Sequence, residues 1–279
     1  MLLEGGLGDA YGAGFEFEIS SNIERFNTMK EYRKHPKYDS IFATYTDDTQ
    51  MAIAISELLL NSSEWSDVMI ADKFVEVFQR DPRRGYSSRF FDILEKVSSG
   101  KELLEVLIPY SNRNGAAMRS YPLGILKEEN EIIEKCKQQA QITHNTEEGI
   151  LSSQIIALAA HFFIYKKGDK KDLPNYLKNL LPISFDFQVE STLKMDALPT
   201  VSSVIHLVIK HNKMKAALLE AVSLGGDTDT VASLVMALLS SSEETVNDFP
   251  TWIYDDFEDE VYGKRYLMSL DKELCNKFL

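Results

Sequence analysis

The sequence is short of cysteine, of positive charge, of long apolar runs and of alternating strand patterns, and each shortage closes off a class of protein. Two cysteines occur in 279 residues, Cys136 and Cys275, both among charged neighbours and in no CxxC arrangement. A disulfide framework is therefore excluded, and both thiols are expected at the surface. Lysine and arginine number 30 against 43 aspartates and glutamates, and the formal net charge of −13 argues against general binding to a nucleic-acid backbone. No stretch approaches the roughly 18 uninterrupted apolar residues of a membrane helix. Residues 1–5 lack the basic-then-apolar start of a secretory signal. The expectation is a cytoplasmic protein without membrane contact.

What is present is a chain 44% hydrophobic, enough for a sizeable core. Its apolar periodicity reads as helix after helix with short connectors. The predicted helices cover residues 51–60, 67–79, 89–97, 128–141, 149–165, 173–181, 199–209, 213–223 and 231–239, with a short one closing the chain. The pattern predicts an all-α fold, a single domain over residues 1–279 and a monomer. Residues 185–195 are ambiguous. The acidic aromatic stretch 252–262 reads as a solvated face.

Two acidic clusters stand out. Gly225-Gly226-Asp227-Thr228-Asp229-Thr230 opens the apolar run 231–239, and Thr46-Asp47-Asp48-Thr49 opens the apolar helix 51–60. Carboxylates in a first helical turn suit the helix dipole, but at a buried helix start they are costly unless something positive meets them. No lysine or arginine stands nearby in sequence. Either cluster alone reads equally well as an N-cap with acidic first-turn residues. Together they describe an all-oxygen cage that suits magnesium, manganese or calcium and not zinc.

The remaining segments are weaker. Residues 4–18 hold five glycines within eleven positions around Asp9 and Glu16 and read as a tight glycine-rich turn, matching neither a P-loop nor a dinucleotide fingerprint. Residues 19–45, with a basic patch at 30–37, read as a surface excursion or lid. Arg84-Gly85-Tyr86-Ser87 sits in a punctuated loop that either holds a phosphate or simply connects two helices. Asn114-Gly115 makes a turn before a helix that Pro122 interrupts, and His144 precedes another helix as a ligand contact or a packing residue.

Taken jointly and in order, Gly8-Asp9-Ala10-Tyr11-Gly12 with Glu16-Phe17, Thr46-Asp47-Asp48-Thr49, Arg84-Gly85-Tyr86, Asn114-Gly115-Ala116-Ala117-Met118-Arg119, Thr143-His144 and Gly225 to Thr230 resemble the ADP-ribosylglycohydrolase family. The resemblance implies a compact orthogonal helical bundle. It also implies two Mg2+ or Mn2+ ions held by Thr46, Asp47, Asp48, Asp227, Asp229 and Thr230. By the same likeness Gly85, Tyr86, Ser87, Asn114, Gly115, Met118 and His144 line an ADP-ribose cleft. Glu16 is implied as acid/base or gating residue, with Asp47 and Asp227 catalytic alongside it.

The implied reaction is hydrolysis at the anomeric carbon of ADP-ribose, with an ADP-ribosylated protein or small molecule as substrate. Departures from the family pattern are visible as well. Ser87 stands where the family carries a further glycine, and Ser111-Asn112-Arg113 lacks the carboxylate of arginine-specific members. The alternatives are a metal-dependent phosphohydrolase on a nucleotide, and an inactive relative that only binds ADP-ribose.

Overall fold

The computed structural model describes residues 1–189 and 194–279. Its helices are α1 (Leu2–Ala13), α2 (Ser20–Phe26), α3 (Asp47–Asn61), α4 (Asp67–Arg80), α5 (Ser88–Leu94), α6 (Gly100–Val106), α7 (Gly115–Met118), α8 (Glu129–Gln141), α9 (Glu147–Ile164), α10 (Leu173–Leu180), α11 (Ala197–Lys210), α12 (Met214–Ser223), α13 (Thr228–Leu239), α14 (Trp252–Asp255) and α15 (Lys264–Phe278). Among the described residues there is no sheet, only three isolated bridges. The all-α expectation is met. The ambiguous stretch 185–195 forms no helix where described, and residues 190–193 of it lie outside the described residues.

The core is built around α13, in which every residue from Thr228 to Leu239 is buried. A helix apolar on all sides can only lie inside. It is surrounded by α1, α9, α11 and α12. The outer helices are amphipathic. In α4, Ile70, Ala71, Phe74, Val75, Val77 and Phe78 turn inward, and the Ser66 hydroxyl caps the start by accepting from the Met69 N–H.

The glycine-rich segment is the main correction to the sequence reading: it is the helix α1, not a turn. Gly8 and Gly12, four apart and so on one face, lie directly against α13. A Cβ on Gly8 would come within 2.5 Å of the Ala232 carbonyl oxygen, and one on Gly12 within 2.5 Å of the Thr228 carbonyl oxygen. Each glycine weakens a helix by about 1 kcal/mol relative to alanine. Here the two backbones touch in return, and the contact carries the dispersion that side chains would otherwise supply.

Two further expectations are corrected. Cys136 is buried where α8 meets α9, its Sγ 3.5 Å from the Ser153 carbonyl oxygen, and burial pushes the thiol up to about 12. Only Cys275 is exposed. The stretch 252–262 is not simply a solvated face. Ile253 and Phe257 are buried, and the Glu258 carboxylate accepts from the Thr44 hydroxyl (2.7 Å), the Tyr45 N–H (3.2 Å) and the Arg83 guanidinium (2.7 Å). The final helix is long, and its buried Leu267, Leu270 and Leu274 face α1 and α3.

Because the obstacle at Gly8 is backbone, a side chain there cannot be accommodated by a rotamer change. Gly8→Ala is expected to cost about 1–3 kcal/mol in urea unfolding. Gly168→Ala, whose nearest neighbour would be the Phe162 ring at 3.3 Å, is the comparison and should cost clearly less. Equal stability of the two variants would refute direct backbone packing of α1 on α13.

Candidate active site

The contact between α1 and α13 fixes what lies one residue along. Asp9 follows Gly8 and is wholly buried at the start of α3. Its carboxylate accepts from the Thr46 N–H (3.0 Å), the Thr46 hydroxyl (2.9 Å), the Thr49 N–H (3.1 Å) and the Thr49 hydroxyl (2.6 Å). The N-cap of α3 is thus supplied by another helix, and Thr46 makes no cap bond of its own. At the other acidic start, Gly225 (φ 70°) and Gly226 (φ 74°) turn the chain through the left-handed region into α13. Asp227 stands at the N-cap position of that helix without a side-chain cap bond and accepts from the Asn114 amide.

Asp47 and Asp48 from α3 meet Asp227 and Asp229 from α13 in one cleft of about 490 Å³. Glu16 joins them. Phe17, held at φ 51°, donates its N–H to the Gly226 carbonyl (2.8 Å), which draws the end of α1 against the α13 turn. One carboxylate oxygen each of Glu16, Asp227 and Asp229 lie within 4.8 Å of one another.

Burial, then repulsion from one another and from Glu16 and Asp9, holds Asp47, Asp48 and Asp229 well above the usual carboxylate range. Burial likewise raises Asp227 and Asp9 to about 6, with hydrogen bonds to each acting in the opposite direction. Asp48 Oδ1 is buried without a hydrogen-bond partner. Hard oxygen donors, mutual repulsion and an orphaned carboxylate oxygen together fit a hard divalent cation.

A family model for ADP-ribosylglycohydrolase matches residues 1–243. The chain belongs to the ADP-ribosylglycohydrolase family. This family member is 28% identical over 263 residues to the ADP-ribosylhydrolase ARH3 of Xenopus tropicalis, a match covering 91% of this chain and 72% of that protein. It is 25% identical over 262 residues to the ADP-ribosyl-[dinitrogen reductase] glycohydrolase of Rhodospirillum rubrum, covering 88% and 85%. A solved structure titled ADP-ribosylglycohydrolase-related protein complex superposes with a TM-score of 0.76 at 18% identity, over 100% of this chain and 96% of that one. That last likeness establishes the fold.

In this family member, the cleft brings together Glu16, Asp47, Asp48, Gly85, Tyr86, Ser87, Asn114, Gly115, Met118, His144, Asp227, Asp229 and Thr230. Thr46 lies behind the cleft wall. It gives its hydroxyl hydrogen to Asp9 and keeps its oxygen lone pairs. Gly85, at φ 117°, has Asp47 Oδ1 only 2.0 Å from where a Cβ would be, so no other residue fits. The Tyr86 hydroxyl donates to Gln50 Oε1 (2.7 Å), which leaves its ring to the cleft. The Asn114 amide nitrogen is engaged by Asp227 and by Thr200 Oγ1 (3.3 Å), so it orients a carboxylate.

Two contributors escaped the sequence reading of roles. Asp9 was part of a motif, but its four bonds to α3 are visible only in three dimensions. His35, within the supposed surface excursion, is buried together with Met29, Tyr32 and Ile41. Its Nδ1 accepts from the Lys37 N–H (2.9 Å) and the Tyr38 N–H (3.1 Å), so the proton sits on Nε2, which donates to Glu16.

Raised carboxylates favour the protonated folded state, so in metal-free protein Asp227 and Asp9 contribute most below their ordinary value of 3.8. That contribution is lost as pH rises to about 6. Metal-free protein should therefore melt lower at pH 7.5 than its other ionisations alone would give, and Asp227→Asn should reduce that loss. Magnesium or manganese at about a hundred times its dissociation constant should restore about 2.7 kcal/mol at pH 7.5. A melting temperature indifferent to both ions would contradict a cation at this cluster.

Proposed function

We propose that this protein is an ADP-ribosyl hydrolase that holds two divalent cations, Mg2+ or Mn2+, and cleaves the bond at the anomeric carbon of ADP-ribose. The substrate is an ADP-ribosylated protein, modified on arginine or serine, or a related small molecule. One observation carries the reading: two acidic helix starts, remote in sequence, face each other in a single cleft of a chain that belongs to this family. Asp47, Asp48 and Thr46 from one start and Asp227, Asp229 and Thr230 from the other are the ligands. Such ions supply positive charge that orients ribose hydroxyls and makes a water more acidic.

The chain's own groups do the rest. Asn114 holds Asp227, and His35 holds Glu16, so both carboxylates are aimed before a ligand arrives. Glu16 takes the proton from the attacking water or gates its approach. As the leaving group departs, positive character grows on the anomeric carbon, and the Asp47 and Asp227 carboxylates face it. The outer half of the cleft is apolar, with Phe90, Ile93, Leu107 and Ile108 on its walls, and suits a flat base.

The test is a panel of arginine-linked, serine-linked and nucleic-acid-linked ADP-ribose incubated with magnesium. Free ADP-ribose should appear from at least one. Asp47→Ala and Asp227→Ala should each lower turnover by more than the about 10–100-fold that loss of an outer-shell partner costs a metal site. A chelator should abolish it. Release of AMP or inorganic phosphate would point to a phosphohydrolase, and ADP-ribose binding without turnover to an inactive relative.

A further inference from the structure

The cleft that holds the acidic cluster also has a buried cation in its lining. Arg119 is 1% exposed. Its acceptors are all neutral: Gln139 Oε1 from Nε, and the Gln139 carbonyl (3.0 Å) and Thr143 Oγ1 (2.7 Å) from Nη2. Its guanidinium carbon lies 4.6 Å from the centre of the Phe74 ring. A guanidinium cannot accept a hydrogen bond. The Thr143 oxygen therefore receives from Arg119, and its own hydrogen is free to go elsewhere. His144 Nδ1 is 2.6 Å away.

If Nδ1 accepts that hydrogen, the ring proton sits on Nε2. The Cε1–Nε2 edge of the ring lies over Gly115, where a Cβ would come within 2.7 Å of Cε1 and 2.9 Å of Nε2. His144 and Gly115 both line the cleft. Burial first, then the charges of Arg119 and Arg113, hold the imidazole down at about 3, so it carries no charge at neutral pH.

We propose that Arg119 and Thr143 are positioning residues that lock His144 into its neutral Nε2–H tautomer, giving the cleft one fixed N–H donor for an acceptor oxygen of the bound ligand. The donor's task rests on the reading of the cleft as an ADP-ribose site, where phosphate and ribose oxygens are the available acceptors. The relay suits its surroundings in two ways. A neutral donor does not repel divalent cations in the same cleft. A fixed tautomer also prevents the ring from turning a lone pair toward a phosphate, which would cost binding rather than add to it.

The lock is measured without any ligand. In protein labelled with 15N at the histidine rings, the His144 signals, identified by their loss in His144→Gln, should show the Nε2–H form from pH 5 to pH 8. Thr143→Val should release the ring into a mixture of tautomers, and Thr143→Ser should restore the single form. ADP-ribose affinity by calorimetry should fall about tenfold in Thr143→Val, the loss of one well-made hydrogen bond, and recover in Thr143→Ser. A wild-type ring with Nδ1–H or with both nitrogens protonated overturns the lock. So does a Thr143→Val ring unchanged from wild type. If Thr143→Val fails to fold, the wild-type spectrum alone decides. A wild type with the expected ring that binds no ADP-ribose overturns the cleft reading on which the donor's task rests, and leaves the lock itself standing.

Discussion

Direct contact between the backbones of α1 and α13 is the constraint on which the site depends. Gly8 and Gly12 allow it, since any Cβ would strike a carbonyl of α13. The contact sets the depth at which Asp9 sits, and Asp9 in turn grips the first turn of α3 through two amides and two hydroxyls. The Thr228 hydroxyl, 2.8 Å from the Gly12 carbonyl, ties the start of α13 to the same helix. Both acidic helix starts are therefore referenced to one rigid rod, although they are far apart along the chain.

The electrostatics of the cleft run against folding. Burial raises all five aspartates, and in Asp47, Asp48 and Asp229 neighbouring charge acts in the same direction. Natural proteins tolerate such strain where function needs it, with the rest of the core compensating. Here the compensation is the wholly apolar α13 and the layers around it. The positive charges near the cleft behave differently from one another. Arg83 is paired with Glu258 and Asp81, whereas Arg119 is stacked and bonded to neutral groups.

Much of the fold was legible because apolar runs have few solutions. A stretch such as 231–239 or 51–60 has to be a buried helix, and the two acidic motifs at their starts were equally plain. The glycine segment was misread because local preference points to a turn, and only the partner helix makes four glycines in α1 an advantage. Cys136 was misplaced for a related reason: Glu134 and Lys137 beside it in α8 are exposed while Lys135 and Cys136 are buried, so adjacency in sequence said nothing about its burial. His35 lies in a stretch without periodicity, and its contact with Glu16 depends on a fold of the chain that no spacing encodes. The role of Asn114 as the holder of Asp227 was hidden because its partner stands 113 positions away.

The ties made by Glu258 have a reach of their own. They join a segment beyond the family-model match, which ends at residue 243, to Thr44 and Tyr45, the two residues immediately before the first acidic start. The terminal region thereby acts as a brace on the threshold of α3. Sequence drift in that outlying stretch would be transmitted to the geometry of the carboxylates without altering any of them.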